Sequence, residues 1–344
     1  MRALALPVAA ILSLAGGVVA AQQSQLPDPF FRDDSLVTAT LTAPMAFVLE
    51  DRSVEEQAPG TLAVDGEIYE VQVRARGRFR RDPKICDFPP IRLNFRKSET
   101  RDTALHGLDK VKVVTHCKTG SSRYEQGVVR EYLAYRILNH LTDLSFNARL
   151  LRITYHDSNE EQDDITSFAI ILEHREQFEK RTGKARVKIQ RTEPSSLDAA
   201  HTNLVSVFQY MIGNTDYSPV AVMEGETCCH NSDLFGGEGQ PMVSIPYDFD
   251  MAGLVSAPHA APNPRFRLES VRERLYRGRC INNDLLPGTL AHFVAHQAAI
   301  LEMIETIDGP SAGTRTRAAR YVKDFYKTVS KPKLIKRRMA DACI

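Results

Sequence analysis

The chain has 344 residues, of which 43% are hydrophobic and 25% are charged. Its 44 lysines and arginines nearly balance 43 aspartates and glutamates, so the formal net charge is +1. This size and composition fit a globular protein with two lobes or domains, and the balanced charge gives no indication of a nucleic-acid or membrane-surface partner.

The amino terminus has the features of a secretory signal. Arg2 is followed by an apolar run from Ala3 to Ala20, and small residues precede Gln22. This order predicts a signal peptide over residues 1–21 and a polar leader over residues 22–34. The alternative is an uncleaved membrane anchor, since the run is near the minimum length for a span. We therefore expect an exported protein, in the bacterial periplasm or outside the cell, whose mature chain has no transmembrane segment.

Export makes disulfides the default interpretation of the cysteines, because such bonds persist in oxidising compartments. The six cysteines are Cys86, Cys117, Cys228, Cys229, Cys280 and Cys343. We expect Cys86 to pair with Cys117. Of the adjacent Cys228 and Cys229, we expect one to pair with Cys280 and the other with Cys343. The alternative is a soft-metal site formed by residues 116–117 and 228–230, although it lacks the paired C-x-x-C spacing of structural zinc sites.

The part of the chain that follows the leader is predicted to be β-rich, with alternating apolar and polar residues and a hairpin turn at residues 64–67. The predicted strands span residues 37–49, 61–73, 91–95, 111–115, 148–155 and 166–173. Five arginines surround Gly77, namely Arg74, Arg76, Arg78, Arg80 and Arg81. Guanidinium groups match phosphate oxygens in pairs, so Arg76 and Arg78 are candidate phosphate ligands. A solvated strand face is the alternative.

Helical spacing marks several other segments. Val129, Leu133, Ile137 and Leu141 lie four residues apart and predict a helix over residues 122–141. Two amphipathic helices are predicted at residues 289–307 and 314–329, and a final helix has Pro332 in its first turn. The proline-rich segment 256–267 is predicted to be extended, with His259 on the surface. The predicted division is a β-rich part over residues 35–175 and a helical part over residues 176–344.

Polar residues converge between residues 204 and 253. Apolar residues at helical spacing predict a helix that ends at Gly213, and short strands are predicted at residues 234–235 and 242–245. The loops beside these elements carry Asp216, Asn231, Asp248 and Asp250. Oxygen ligands of this kind suit Mg²⁺, which usually takes one or two carboxylates together with phosphate oxygens and water. The alternative is that these aspartates only form turns and caps.

Several motifs in order resemble a known family. They are GNTD at residues 213–216, HN at 230–231, PYDFDMAG at 246–253, an Arg-Gly-Arg turn at 76–78 with PPIRLNF at 89–95, and Arg130 followed by LAY at 133–135. Together they are similar to the CotH-like family of spore-coat protein kinases and, more distantly, to HipA-type kinases. The resemblance implies an α+β, two-lobed protein-kinase-like fold with a β-rich N-lobe and a mainly helical C-lobe.

The resemblance also implies an activity and a set of roles. The protein would bind ATP or another nucleotide with Mg²⁺ or Mn²⁺ and transfer a phosphoryl group to a hydroxyl acceptor, a protein or a cell-envelope component. Asp216 would be the catalytic base, and Asn231, Asp248 and Asp250 would hold the metal. Lys112, supported by Glu131, would neutralise phosphate charge. Lys110 and Arg130 are alternatives to Lys112 and Glu131.

One departure from the family pattern leaves other functions open. In the family the metal-binding asparagine follows the catalytic aspartate closely, whereas residues 217–229 intervene here. An insert can be looped out at little free-energy cost, or it can mark a degenerate site. The alternatives are therefore a catalytically inactive kinase-fold protein that binds a component of the cell envelope, and a metal-dependent phosphoester hydrolase.

Overall fold

The computed structural model describes residues 26–221 and 228–344. The predicted signal peptide and the first residues of the predicted leader lie outside the described residues. Residues 222–227, inside the insert between Asp216 and Asn231, lie outside them as well. Within the described part of the chain, no helix has the length and apolar character needed to cross a membrane.

Seven strands of the first half of the chain close into a barrel. They are β1 (Val37–Ala43), β2 (Ala58–Val64), β3 (Glu67–Ala75), β4 (Ile91–Phe95), β5 (Lys110–Val114), β6 (Ala148–Asp157) and β7 (Ile165–Leu172). Their order around the barrel is β1, β2, β3, β4, β5, β7, β6, and the parallel pairing of β1 with β6 closes it. The predicted two-lobed kinase-like fold is therefore wrong, because that fold has an open sheet in its N-lobe and this barrel has no open edge.

The alternation of the strands explains the closed barrel. Every second residue points inward, and the interior is filled by fully buried apolar side chains, among them Leu41, Val73, Leu93, Val111 and Ile153. The predicted hairpin turn between β2 and β3 is present. The predicted strand over residues 37–49 ends early, because α1 (Met45–Asp51) begins directly after Pro44.

Helices lie between the strands of the barrel and recur in the second half of the described chain, where residues 247–279 contain none. They are α2 (Lys97–Thr100), α3 (Ser122–Leu141), α4 (Arg175–Thr182), α5 (Ala199–Ile212), α6 (Leu286–Ala295), α7 (Gln297–Thr306), α8 (Ala312–Val329) and α9 (Pro332–Ile335). The predicted helix over residues 122–141 is confirmed as α3, which packs on β6 and β7. The predicted helix over residues 289–307 is two helices, α6 and α7, that meet at His296.

A second, three-stranded sheet carries the loops of greatest interest. It consists of β8 (Ala185–Val187), β9 (Ser232–Gly236) and β10 (Val243–Pro246), with β9 in the centre and both pairings antiparallel. Phe178, Phe235 and Ile245 form a buried cluster behind it. The predicted hairpin of two short strands is therefore present. At its open end, Asn231 directly precedes β9 and Asp248 follows β10.

All six cysteines form disulfides, so none is free. The predicted pairing of Cys86 with Cys117 is present. The predicted pairings of Cys228 and Cys229 with Cys280 and Cys343 are wrong, because the two adjacent cysteines bond to each other and Cys280 bonds to Cys343. Backbone hydrogen bonds of Ile344 bring the end of the chain beside Cys280 and account for that pair. The soft-metal alternative is also wrong, since its cysteines are all bonded to cysteine.

Candidate functional site

A cleft of about 760 Å³ lies beside strands β3, β4 and β5 of the barrel. Its other walls come from the loop after α5, the loop before β9 and the loop after β10. The described residues that line it include seven arginine and lysine side chains and three carboxylates. The cations are Arg74, Arg76, Arg78, Arg80, Arg92, Lys112 and Arg175, and the carboxylates are Asp216, Asp248 and Asp250.

Three of the cations form a row across neighbouring strands. Arg74 on β3 is paired in register with Arg92 on β4, and Arg92 is paired with Lys112 on β5. Like charges placed directly opposite each other destabilise a sheet. The barrel core does not require these three cations, because the alternate residues of the same strands, such as Val73 and Leu93, fill the interior. The row therefore forms a surface suited to an anionic ligand with several charges.

Lys112 lies at the inner end of this row. Its ammonium is 4.4 Å from the centroid of the Tyr247 ring. Burial, together with the charges of Arg175 and Arg76, lowers the pKa of Lys112 well below its ordinary value, although Asp248 acts in the opposite direction. An anion beside Lys112 would stabilise its protonated form and raise this pKa again. The protonation state of Lys112 is therefore sensitive to an anion bound in the cleft.

The two carboxylates after β10 have different environments. Burial and the charge of Asp250 raise the pKa of Asp248 to about 6. Burial acts the same way on Asp250, but a 3.0 Å hydrogen bond with His259 and the charge of Arg80 outweigh it, so the pKa of Asp250 is lowered. No described side chain hydrogen bonds to the Asp248 carboxylate, whereas Asp250 is already partnered. Asp248 is thus the carboxylate available to a ligand.

The backbone at Asp248 also supports a special role. Its φ angle is +64°, in the left-handed region that non-glycine residues rarely occupy. Its N–H donates a 2.9 Å hydrogen bond to the hydroxyl of Tyr135 on α3. The long helix α3 thereby fixes the loop that presents the carboxylate to the cleft.

Glu131 does not meet Lys112, the partner expected for it. Its neighbours are Asp250, Asp248 and Arg80, and burial with the two aspartates raises its pKa well above the ordinary value. One of its carboxyl oxygens is buried without a hydrogen-bond partner. Glu131 therefore lies near Asp248 and Asp250, whereas Lys112 lies in the cationic row. The alternatives do not replace them, because Lys110 is exposed on β5 and Arg130 donates to the Val255 carbonyl.

Asp216, His230 and Asn231 form a hydrogen-bonded group. Asp216 follows α5, which ends at Gly213, where φ is +67° and a Cβ would lie 2.0 Å from the Tyr321 hydroxyl oxygen. One Asp216 carboxylate oxygen is 2.8 Å from His230 Nε2, and the other accepts from Asn231 Nδ2 at 3.0 Å. This hydrogen bond with Asp216 raises the pKa of His230. The insert has not separated these residues, because its described ends are joined by a bridge between Ser218 and His230.

Asn231 and Asp248 have side-chain oxygens without a hydrogen-bond partner among the described residues. These oxygens suit a small divalent cation whose other ligands are phosphate and water oxygens. Asn231 directs its Nδ2 to Asp216, which leaves its side-chain oxygen as an acceptor. Together with the unpartnered Asp248 carboxylate, this gives two oxygen ligands, the number that Mg²⁺ often takes from protein when phosphates and water supply the rest. The described residues contain no group of three or more His, Cys, Asp or Glu side chains that could hold a metal alone.

The chain matches no protein-family model and no curated protein. The similarity to CotH-like kinases thus stands on the quoted motifs alone. Any function assigned to this chain must therefore be supported by the groups of its own cleft.

The sequence prediction gave no role in the nucleotide site to four groups in or beside the cleft: Arg92, Arg175, His230 and His259. The alternation of residues 91–95 was a usable signal for Arg92, because it places Arg92 on the same face of the sheet as its in-register neighbours. Nothing local marks His259, which was expected on the surface but has only 7% of its side chain exposed. Its importance depends on its contact with Asp250.

Proposed function

We propose that this protein transfers a phosphoryl group from a metal-bound nucleotide, such as ATP with Mg²⁺ or Mn²⁺, to a hydroxyl group of a protein or a cell-envelope component. The observation that carries the proposal is the in-register row of Arg74, Arg92 and Lys112 facing a cleft that also holds Asp248 and Asn231. Apart from Arg130 and residues 133–135, the motifs that resemble CotH-like kinases all contribute residues to this cleft, which supports the proposal.

The cationic row would bind the phosphate chain. Arginine binds phosphate oxygens through paired N–H donors, and Lys112 supplies a point charge at the inner end of the row. Arg76 lies between this row and Asp248, whose charge acts on it directly. A phosphate chain lying along the row would therefore place its terminal group near Asp248 and Asn231. A bound divalent cation would supply positive charge that stabilises the transferring phosphoryl group.

We assign the proton transfer to His230, with Asp216 as the residue that positions it. The Asp216 carboxylate accepts hydrogen bonds from both His230 and Asn231. It fixes the His230 tautomer that carries hydrogen on Nε2, and this leaves Nδ1 free to accept the proton of an acceptor hydroxyl. The raised pKa of His230 makes it a stronger base. Asp216, predicted from the resemblance as the base, would act through the histidine.

Export remains part of the proposal. The three disulfides and the absence of a membrane-spanning helix among the described residues are compatible with a periplasmic or extracellular protein. We propose that residues 1–21 direct this export.

Nucleotide binding is the first test. Calorimetric titration with a non-hydrolysable ATP analogue and Mg²⁺ should show binding that Arg92→Gln weakens at least tenfold. The matched control is Lys110→Gln, on the exposed end of the neighbouring strand β5, which should bind like the native chain. Equal binding by native protein and Arg92→Gln would contradict the phosphate-binding role of the row.

Turnover distinguishes the alternatives. Incubation with labelled ATP and Mg²⁺ should label a cell-envelope fraction, and His230→Gln should slow the reaction by about two to four orders of magnitude. Activity should rise with pH through the pKa of His230, because the neutral imidazole is the base. Asp216→Asn should move this midpoint to lower pH, because the hydrogen bond that raises the pKa is weakened. Phosphate release without an acceptor would indicate a hydrolase, and binding without turnover would indicate an inactive binding protein.

A further inference from the structure

Three histidines lie together outside the set of residues that line the cleft. His292 and His296 are four residues apart, at the end of α6, so they project from the same side of that helix. His140 is in the last turn of α3 and faces them. The His296 and His140 rings have centroids 4.8 Å apart, and the His292 and His296 rings 4.5 Å apart. The proposed function gives no role to this cluster.

The nitrogen atoms of two of these rings already point at each other. His296 Nδ1 and His140 Nε2 are 2.9 Å apart. Two imidazole nitrogens on one tetrahedral zinc ion stand about 3.3 Å apart, given zinc–nitrogen bonds of about 2.0–2.1 Å. The two nitrogens share a hydrogen bond, and a metal ion would replace its hydrogen when both rings turn toward one point and the nitrogens move apart by a few tenths of an ångström.

The third ring is oriented by the backbone. His292 Nε2 lies 3.0 Å from the carbonyl oxygen of Leu141, to which it donates its hydrogen. The Nδ1 atom of His292 therefore carries the lone pair. Fixing one ring nitrogen through a hydrogen bond to a carbonyl is the usual way in which proteins prepare the other nitrogen to bind a metal.

Burial and neighbouring charges act on one of these rings, His140. Burial, followed by the proximity of His296 and Arg136, lowers the pKa of His140. Arg136 is itself engaged by Asp34 at 2.6 Å, so its charge is partly compensated. Neutral imidazole is the form that binds metal.

We propose that His140 and His296, with His292 as a third ligand, form a binding site for a divalent transition metal of the class Zn²⁺, Ni²⁺ or Cu²⁺. Imidazole suits these ions, whereas Mg²⁺ and Ca²⁺ prefer oxygen. The described residues hold no ready-formed set of three ligands. In the proposed site, the facing nitrogens of His140 and His296 bind the ion, and His292 or water completes the coordination. A bound metal would tie α6 to α3, the helix that holds the Asp248 loop through Tyr135.

The test is calorimetric titration of the full chain with ZnCl₂ at pH 7.5, without nucleotide. The native protein should bind one equivalent, and His140→Gln and His296→Gln should each weaken this binding by roughly tenfold or more. These side chains are partly exposed, so the variants should fold. The control is His106→Gln, which changes an exposed histidine elsewhere and should bind zinc like the native chain.

A second measurement locates the ion independently. Cu²⁺ bound to the native chain should give an electron paramagnetic resonance spectrum with nitrogen hyperfine structure, and His296→Gln should lose it. No zinc binding by the native chain, or binding that is unchanged in both His140→Gln and His296→Gln, would overturn the proposal.

Discussion

Replacement of Asp248 by asparagine should make the protein more stable while it removes a carboxylate that holds the metal in the proposed function. The native carboxylate is partly buried, lies close to Asp250, and has no hydrogen-bonding side chain among the described residues. Asparagine has nearly the same shape, accepts a positive φ angle as readily as aspartate, and carries no charge to be desolvated.

The magnitude follows from the shift in pKa. The pKa of Asp248 rises from 3.8 to about 6 on folding. One pKa unit corresponds to about 1.4 kcal/mol, so the ionised carboxylate destabilises the native state by up to about 3 kcal/mol. This penalty is present above pH 6, where the group is ionised in both states. It disappears as the pH falls from about 6 to about 4, where the folded state takes up a proton before the unfolded state does.

The assay is urea unfolding of native protein and Asp248→Asn between pH 4 and pH 7.5, without divalent cations or nucleotide. The variant should gain up to about 3 kcal/mol at pH 7.5 and little at pH 4. The matched control is Asp233→Asn: Asp233 is 3% exposed and accepts hydrogen bonds from Arg175 at 2.6 Å and Arg186 at 2.9 Å. That variant should be less stable at pH 7.5. No gain for Asp248→Asn, or a gain that is the same at pH 4, would refute the reasoning.

Two further predictions concern stability alone. The buried pair of Glu173 and Arg181, with side chains 1% and 6% exposed, forms two 2.9 Å hydrogen bonds. Glu173→Gln should therefore lower the free energy of unfolding, measured in urea, by about 3–5 kcal/mol. The control Glu70→Gln, which breaks an exposed pair with Arg96, should lower it by less than about 1 kcal/mol. Equal losses would show that burial does not decide the effect. Cys280 and Cys343 are 63 residues apart, so replacing both by serine should cost about 4 kcal/mol in the same assay, and an unchanged midpoint would contradict the chain-entropy account.

The parts of the fold that could be predicted depend on contacts between neighbours in the sequence. The spacing of Val129 and Leu133 placed α3, and the turn at residues 64–67 placed the β2–β3 hairpin. Closure of the barrel depends instead on the parallel pairing of β1 with β6, in which Val37 lies opposite Leu151. No local pattern distinguishes a strand that pairs on both sides from one at an open edge. The periodicity of the sequence therefore could not predict that the barrel closes.

The residues of the site could likewise be predicted from the sequence, but their neighbours across the strands could not. Lys112 is the clearest example. The order of the motifs identified Asp216, Asn231 and Asp248, each of which lies in the cleft. It also suggested that Glu131 neutralises Lys112, but the registers of β4 and β5 place Lys112 among like charges. No carboxylate of the described residues forms an ion pair with it, and burial with the neighbouring cations lowers its pKa, although Asp233 and Asp248 act in the opposite direction. This cationic environment is visible only when the pairing of the strands is known.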